Sequence, residues 1–553
     1  MSASRTVSPA EERLLDAALQ QLFAGTSVGA AARSTTRRSP HWLLVAMLLL
    51  GLGVTATLMW QAREVQRDEA QDPSRSGRSD EVHAASAAEI EALPATTTHL
   101  RLRLVDPRDL AAVARLTELR SLQLGREKGT LFGLSMGYHR SWSNPPAELL
   151  QPLAKLTKLE QLGLSATLTS APDLLAPLAG HPTLHTLRIS GEWPEARRRL
   201  DLALGRIPKL RAIEIHLVPV DADLLRELAK LPLTSFALEY CRGLDADGWR
   251  AICAMRSLQR LSLQDWSWNV KPGRDRDPPG WRPTPGELQH LRELTDLRTL
   301  ELNHCPVDAE QLAALPDTLT SLHLWGNNLT PADFDGLRRF GNLRELHIDT
   351  RKRSNLIGSV FDDDPVPEAE AFGQALATLR LRSLHYHGAL VPAVATAIGS
   401  QPDLRELTID SKVLPTEVLR TLLANTQIET LRLRSTSGSI DATHPDLVSA
   451  LANQTSLLVL EVPVIDLGDG RAATTLAQLP KLESLSLTFS SSTAGRLPTP
   501  SSLAPLAQSS TLREVELRIY TLAGAPPLAP QPLQQALGAK IQLHVANWGV
   551  VRR

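Results

Sequence analysis

The sequence predicts an α/β fold built as an elongated array of stacked repeats, with one transmembrane helix ahead of the array. Three observations support this prediction: a leucine pattern that recurs along most of the chain, helix-start signals between its copies, and one long apolar segment near the N-terminus. A length of 553 residues exceeds what one compact core usually holds. The chain is 42% hydrophobic but only 4% aromatic, so its apolar content is mostly leucine, alanine and valine.

Residues 1–41 are predicted to form a cytoplasmic tail that contains a short amphipathic helix. Ser8, Pro9 and Glu11 have the order of a capping box with proline at the first helical position. Leucine and alanine then recur at helical spacing over residues 9–24, which gives the helix one apolar stripe. Such a stripe suits docking to a cytoplasmic partner and, equally, resting on the inner membrane surface.

Residues 42–60 are predicted to form a single transmembrane helix in the lipid bilayer. These nineteen residues carry no charge, and at about 1.5 Å per residue they span roughly 29 Å. Trp42 and Trp60 suit the two membrane interfaces. A cleaved signal peptide is the alternative, but the stretch before the apolar segment is long for the charged region of a signal peptide.

The charges beside this segment predict its orientation. Arg33, Arg37 and Arg38 precede it closely, whereas acidic residues accompany the arginines that follow it. We therefore place the N-terminus in the cytoplasm and the repeats in the periplasm or outside the cell. The inverted orientation is the less favoured alternative. Small residues at four-residue spacing, beginning at Gly51 and Gly53, would allow two such helices to form a homodimer.

The remaining chain is predicted to divide into a flexible tether and a repeat domain. Residues 61–95 are mostly polar residues and alanine without periodicity, which is typical of a tether. Residues 96–553 carry copies of the pattern L-x-x-L-x-x-L-x-L. Complete copies end at Leu124, Leu164, Ile215, Leu263, Leu302, Ile348 and Leu487. Shorter copies centre on Leu187, Phe236, Leu322, Leu384, Leu407, Leu431, Leu460, Val515 and Leu543, with a capping strand expected at Leu100–Leu104.

Each copy predicts one short strand followed by a helix. Side chains alternate along a strand, so the two apolar residues of x-L-x-L-x point inward and their neighbours point outward. One repeat cannot bury its own leucines, so neighbouring repeats must stack. Between strands, Pro285, Pro331 and Pro415 each occupy or adjoin a first helical turn, and an acidic residue follows soon after.

This pattern resembles that of the leucine-rich-repeat superfamily, and the resemblance covers roughly residues 96–553. It implies a right-handed solenoid, or horseshoe, with a parallel sheet on the concave face and mostly helices on the convex side. The superfamily commonly has an asparagine just after the strand. Asn327 fits this position, whereas Cys241 and Cys305 occupy it in two other repeats and most repeats depart from the pattern.

Composition narrows the functional classes. The chain has 59 Lys and Arg against 60 Asp and Glu, so it lacks the basic excess of a non-specific nucleic-acid binder. Its three cysteines are too few and too unevenly spaced for a disulfide framework or a cysteine-rich zinc site. Arginine outnumbers lysine and alanine is abundant, which hints at a bacterial source.

Three long insertions predict one candidate binding surface, a rim. Each follows a strand, so all three should emerge at the same edge of the solenoid. Exposed tryptophan and tyrosine are typical of recognition surfaces. The alternative is that the loops fold back and their aromatic residues cover the core. The insertions contain Tyr138 and Trp142, then Trp266, Trp268 and Trp281, and finally a charge switch from Arg351–Arg353 to Asp362–Asp364.

Outward-facing strand positions predict a second candidate surface, rich in histidine and carboxylate. Neighbouring strands lie about 4.8 Å apart, so these side chains should be adjacent. Such side chains could bind a divalent metal, respond to pH or bind a cationic partner. The simplest interpretation is that they are ordinary solvated polar residues. No metal or cofactor is assigned, because strand register alone does not fix ligand geometry. The positions are Glu301, Asn303, His323, Trp325, Glu345, His347, Asp349, His385, His387, Thr408 and Asp410, with positive charge returning at Arg432 and Arg434.

An enzymatic function has one candidate motif. Gly133, Ser135 and Gly137 match G-x-S-x-G, but this serine falls inside an insertion and not at a strand-to-helix elbow. We therefore expect a non-enzyme: a membrane-anchored recognition scaffold that binds a protein or an envelope polysaccharide. The alternative is a single-pass signalling receptor whose cytoplasmic helix docks an effector, and a hydrolase that uses Ser135 is a remote third hypothesis.

Overall fold

The computed structural model describes most of the chain between Glu81 and Val550, and all of these residues belong to one compact unit, Glu64–Arg552. The predicted tail, the predicted transmembrane helix at 42–60 and the tether up to residue 80 lie outside the described residues. Within the described part, no helix is long and apolar enough to cross a bilayer. The described ranges are 81–84, 86–102, 107–124, 147–165, 174–190, 204–216, 218–239, 241, 244–264, 284–305, 307–327, 329–351, 366–411, 413–435, 450–463, 470–490, 497–522 and 529–550.

The described residues form a parallel sheet of eighteen strands. Each strand pairs with the next one in chain order. The strands are β1 Glu81–Ala84, β2 His99–Leu102, β3 Ser121–Leu124, β4 Gln161–Ser165, β5 Thr186–Ser190, β6 Ala212–His216, β7 Ser235–Glu239, β8 Arg260–Gln264, β9 Thr299–Asn303, β10 Ser321–Leu324, β11 Glu345–Asp349, β12 Ser383–His387, β13 Glu406–Ser411, β14 Thr430–Ser435, β15 Val459–Pro463, β16 Ser484–Ser490, β17 Glu514–Leu522 and β18 Gln542–Val550.

The predicted stacking of leucines is confirmed along the sheet. In β9, β10 and β11, Leu300, Leu322 and Leu346 are register partners, and each is 0% exposed. The complete copies and the shorter copies of the pattern both form strands. Burying one leucine side chain stabilises a fold by roughly 1.5–3 kcal/mol. The core therefore runs along the whole array and has no single centre.

Short helices connect the strands and pack on one side of the sheet. The α-helices are α1 Ala87–Ala92, α2 Pro107–Val113, α3 Ala222–Leu228, α4 Ala246–Cys253, α5 Pro285–Leu288, α6 Ala309–Ala314, α7 Val366–Leu376, α8 Pro392–Gly399, α9 Thr416–Leu422, α10 Arg471–Ala477, α11 Pro500–Leu503 and α12 Pro530–Leu537. The 3-10 helices are Ala147–Lys155, Ala176–Leu178, Leu204–Arg206, Gln289–Glu293, Pro331–Arg339 and Ala504–Gln508.

Proline and capping residues start several of these helices, as the sequence predicts. Thr284 and Thr330 each close a capping box ahead of a proline. Pro415 is itself the N-cap of α9. The sheet face opposite the helices is called the open face below.

The sheet begins inside the segment that the sequence assigned to the tether. Strand β1 pairs in parallel with β2, and α1 follows it. The Ser86 hydroxyl accepts a hydrogen bond from the Glu89 backbone N–H, and Ile90 is buried. Because β1 has the sequence EVHA and no leucine pair, the leucine pattern could not locate it.

Asparagine and cysteine stabilise the turn after the strand in the same way. The Asn327 amide nitrogen donates to the carbonyl oxygens of Leu302, at 2.6 Å, and Cys305. The Cys305 thiol, after β9, lies 3.3 Å from the carbonyl oxygen of Leu263 in β8. The Cys241 thiol, after β7, makes the equivalent contact with the carbonyl oxygen of Ile215 in β6. Cysteine thus supplies a weak donor where asparagine supplies a strong one, which accounts for cysteine at this position in these two repeats.

The repeating core predicts a large contrast between two substitutions. Leu346→Ala removes a side chain that is 0% exposed, so it should lower the free energy of unfolding by about 2–5 kcal/mol. Val413→Ala, at a position 62% exposed, should change it by less than about 0.5 kcal/mol. Urea unfolding of the full chain, followed by circular dichroism, measures both. Equal effects would show that the strand leucines do not form the core.

Candidate binding surface on the open face

One position in each strand from β2 to β18 forms a continuous row on the open face. Each member is the register partner of the next, and the residues on either side of it along the strand belong mostly to the buried apolar rows. The row is almost entirely polar or charged. It consists of Arg101, Gln123, Gly163, Arg188, Glu214, Ala237, Ser262, Glu301, His323, His347, His385, Thr408, Arg432, Glu461, Ser486, Glu516 and His544.

The predicted adjacency of the histidines is confirmed. The imidazoles of His323 and His347 stack with centroids 3.9 Å apart and an interplanar angle of 3°. The His347 and His385 rings meet edge to face at 5.1 Å, and so an unbroken run of imidazoles crosses three strands. Glu301, the register partner of His323, places a carboxylate oxygen 3.9 Å from its ring nitrogen.

The outer cluster consists of His323, Glu345 and His347 and is partly exposed. One carboxylate oxygen of Glu345 lies 3.7 Å from His323 Nε2 and 3.3 Å from His347 Nε2. Hydrogen bonding with these two imidazoles lowers the pKa of Glu345 far below its usual range. The carboxylate of the outer cluster is therefore ionised at neutral pH.

The inner cluster consists of His385, His387 and Asp410 and is more deeply buried. His385 Nε2 hydrogen-bonds with Asp410 Oδ2 at 2.8 Å, and His387 Nε2 contacts the same oxygen. Only 4% of the His387 side chain and 7% of the Asp410 side chain are exposed. Among the described residues, neither ring nitrogen of His387 has a hydrogen-bond partner with normal geometry.

Burial determines the protonation of the inner cluster. It lowers the pKa of His387 to about 4, with the Arg351 guanidinium acting in the same direction and Asp410 opposing it. Burial also lowers the pKa of His385. Burial alone would raise the pKa of Asp410, but the adjacent His387 and His385 hold it well below its usual value. At neutral pH the inner cluster therefore comprises two neutral imidazoles and one carboxylate.

A buried ion pair closes one side of the inner cluster, which corrects two expectations from the sequence. Arg351 Nε donates to Asp349 Oδ1 at 2.9 Å, and both side chains are almost fully buried. The guanidinium lies 5.7 Å from the Trp325 ring, and Trp325 packs 3.9 Å from His387. Asp349, His387 and Asp410 are thus covered and not solvated. Arg351, which the sequence placed in the charge switch of the predicted rim, is part of this cover.

A tight approach of two chain segments fixes the end of β12 beside the inner cluster. The Thr350 backbone N–H donates to the His387 carbonyl oxygen at 2.8 Å. Gly388 follows with φ +149°, and a Cβ there would lie 2.0 Å from Thr350 Oγ1. Glycine is therefore required at this position.

A third group of charges lies further along the open face. Arg432 and Arg434 are present as expected, but both approach Glu461, which is 7% exposed. Arg434 donates to the two oxygens of Glu461 at 3.1 and 3.2 Å, and Arg518 donates at 2.6 Å. The sequence analysis missed Glu461 and Arg518. Extending the outward-facing positions from β14 by one strand, to β15, would have found Glu461, and extending them to β17 would have found Arg518.

The predicted aromatic rim falls outside the described residues. So do Ser135 and the acidic half of the charge switch, Asp362–Asp364. The rim residues concerned are Tyr138, Trp142, Trp266, Trp268 and Trp281.

Comparisons with known proteins do not identify a family. No family model and no curated protein matches the sequence. Among solved structures, the chain is similar to an internalin from Listeria monocytogenes at 15% identity, covering 72% of this chain and 94% of that one, with a TM-score of 0.31. The class follows from the sheet itself: an α/β solenoid of the leucine-rich-repeat type.

Protonation of His387 predicts a loss of stability in acid. Its pKa in the folded protein, about 4, is below the ordinary 6.5, so the unfolded chain takes up this proton first as the pH falls. Stability from this group is complete above about pH 6.5 and falls towards pH 4, by at most about 1.4 kcal/mol per pH unit. In a buffer containing EDTA, His387→Gln should show a smaller slope than the wild type in this window. His83→Gln, at an exposed histidine of β1, should keep the wild-type slope, and three equal slopes would contradict the prediction.

Proposed function

We propose that the protein is a membrane-anchored recognition scaffold that binds a protein ligand through the open face of its sheet. The observation that most supports ligand binding is the continuous and almost entirely polar row, in register from β2 to β18, between rows of buried apolar residues. A cell-envelope polymer is the second candidate ligand, because the predicted aromatic rim would suit sugar stacking.

The extent of the row favours a macromolecular ligand. Sixteen steps of about 4.8 Å carry it over roughly 77 Å along the sheet. A small metabolite would contact only two or three strands. A protein ligand could engage many side chains at once, as recognition interfaces of standard size do.

The charges on the open face favour a ligand with basic groups opposite β9 to β13. Three carboxylates at outward-facing positions there, those of Glu301, Glu345 and Glu406, are at least partly exposed. The covered carboxylates of Asp349 and Asp410 add to the negative charge, and the described cation Arg351 pairs with Asp349. The pKa values of His385 and His387 are lowered, so these histidines do not offset the negative charge at neutral pH. Complementary charge of this kind raises association rates and selects among partners.

The proposal includes a membrane anchor because the sequence of residues 42–60 predicts a transmembrane helix. A single-pass receptor, with an effector docked on the cytoplasmic helix, is the alternative function. A homodimer formed through the membrane helix would serve either function. Catalysis is not part of the proposal, because the only candidate motif, at Ser135, lies inside an insertion.

Site-specific photo-crosslinking tests the proposed ligand-binding face. A photoreactive amino acid at Arg188 or Glu516 would stand on the open face, whereas the same group at Lys230 or Glu417 would stand on the helical side. In the cells that make the full-length protein, the open-face positions should capture one common partner and the helical-side positions should not. Capture from the helical side alone would refute the proposal.

Topology and signalling are tested by protease treatment and by deletion of residues 1–40. Protease added to intact cells, or to cells with a permeabilised outer membrane, should cleave the repeat domain while a cytoplasmic marker stays intact. The deletion should leave partner capture and cellular function unchanged, because a scaffold does not need the tail. A protected repeat domain would establish the inverted orientation. Loss of function with retained capture would favour the receptor.

A further inference from the structure

We propose that the inner cluster is a binding site for one divalent transition-metal ion, held by the Nε2 atoms of His385 and His387 and the carboxylate of Asp410. This inference goes beyond the proposed function, and its test uses the protein without any partner. Nothing in the predicted recognition role requires a metal ion.

The topology brings the three ligand atoms together. His385 and His387 are two residues apart in β12, so strand alternation places both on the open face. Asp410 in β13 is the register partner of His387. The three ligand atoms lie within 4.8 Å of one another, which allows one ion to reach all of them.

Burial gives a second, independent observation. His387 is 3% exposed, and its Nε2 atom has only the close contact with Asp410 Oδ2, an oxygen that His385 Nε2 also contacts. A buried polar group without a regular hydrogen bond is costly and uncommon in native proteins. A metal ion bound by Nε2 and the Asp410 carboxylate would replace this contact. It would also balance the charge of the buried Asp410 carboxylate, which otherwise faces two imidazoles.

The surrounding residues hold the donors in place. Trp325 packs against both imidazoles, 3.9 Å from His387 and 5.8 Å from His385. The tight approach of Thr350 and Gly388 fixes the chain directly after His387. Rigid support of this kind is what a metal site needs.

The donor set also predicts which metals bind. Two imidazoles and one carboxylate suit Zn²⁺, Co²⁺ and related ions, whereas Mg²⁺ and Ca²⁺ prefer sites made entirely of oxygen donors. Three protein donors leave further coordination positions for water or for a donor from a ligand. The His385 side chain is 18% exposed, so the site opens towards the row of polar residues on the open face.

The outer cluster is the nearest competing site. His323, Glu345 and His347 also bring three donor atoms within reach of one ion. There, however, Ser321 Oγ already lies within hydrogen-bond distance, 3.2 Å, of His323 Nε2, and the cluster is open to solvent. The inner cluster combines burial with two imidazoles that meet at one carboxylate oxygen, so we assign the ion to it.

The test is Co²⁺ and Zn²⁺ binding by the full-length chain, purified without a polyhistidine tag. Visible absorption of bound Co²⁺ reports the ligand field, and calorimetry with Zn²⁺ gives stoichiometry and affinity. Wild type should bind one ion and gain thermal stability, with no response to Mg²⁺ or Ca²⁺. Asp410→Asn and His387→Gln should each weaken binding at least tenfold. Circular dichroism confirms that each variant is folded, and His385→Asn replaces any variant that is not.

Two controls locate the ion. His290→Asn disrupts an exposed pair in which His290 Nδ1 lies 2.9 Å from Glu293, and it should leave affinity unchanged. Glu345→Gln should also leave it unchanged. If Glu345→Gln abolishes binding while Asp410→Asn preserves it, the ion belongs to the outer cluster and the proposal is wrong. Absence of any saturable site in the wild type would refute it as well. Neither result would bear on partner capture by the open face.

Discussion

A single repeat of this chain cannot bury its own leucines, and the rest of the structure depends on that constraint. Leucines of neighbouring strands must cover one another, so every strand takes the same register, as Leu300, Leu322 and Leu346 do. Because side chains alternate along a strand, fixing the leucines also fixes the polar residues between them. The row on the open face, and with it both histidine clusters, follows from the packing on the opposite side of the sheet.

The fold was largely predictable because the burial pattern is local and repeats. A pair of apolar residues two positions apart, preceded by leucines at three-residue spacing, located most strands directly. Strand β1 was missed because EVHA has no such pair and is recognised only by its pairing with β2. The sequence also predicted that helices connect the strands, since proline and threonine mark several helix starts. Its mixture of α and 3-10 turns could not be inferred from the same signals.

The sequence predicted which side chains of the candidate site are neighbours, but not how deeply they are buried. Strand register placed His323, His347 and His385 side by side without any tertiary information. It could not show that Trp325 and Arg351 cover His387, because that cover depends on packing between the ends of different strands. Burial changes the chemistry: it keeps His387 neutral at physiological pH, whereas a solvated histidine titrates near it. Recognition and metal binding remain separate hypotheses about one surface.

A double-mutant cycle on adjacent leucines tests the central packing claim most directly. Leu346 in β11 and Leu384 in β12 are register partners, whereas Leu122 in β3 lies far along the sheet. Urea unfolding of the full chain with Leu346→Ala, Leu384→Ala and the double variant should give a coupling energy of about 0.5–3 kcal/mol. The pair Leu122→Ala and Leu384→Ala should be additive within about 0.5 kcal/mol. Additive effects for the adjacent pair would contradict the claim that neighbouring repeats bury each other's leucines.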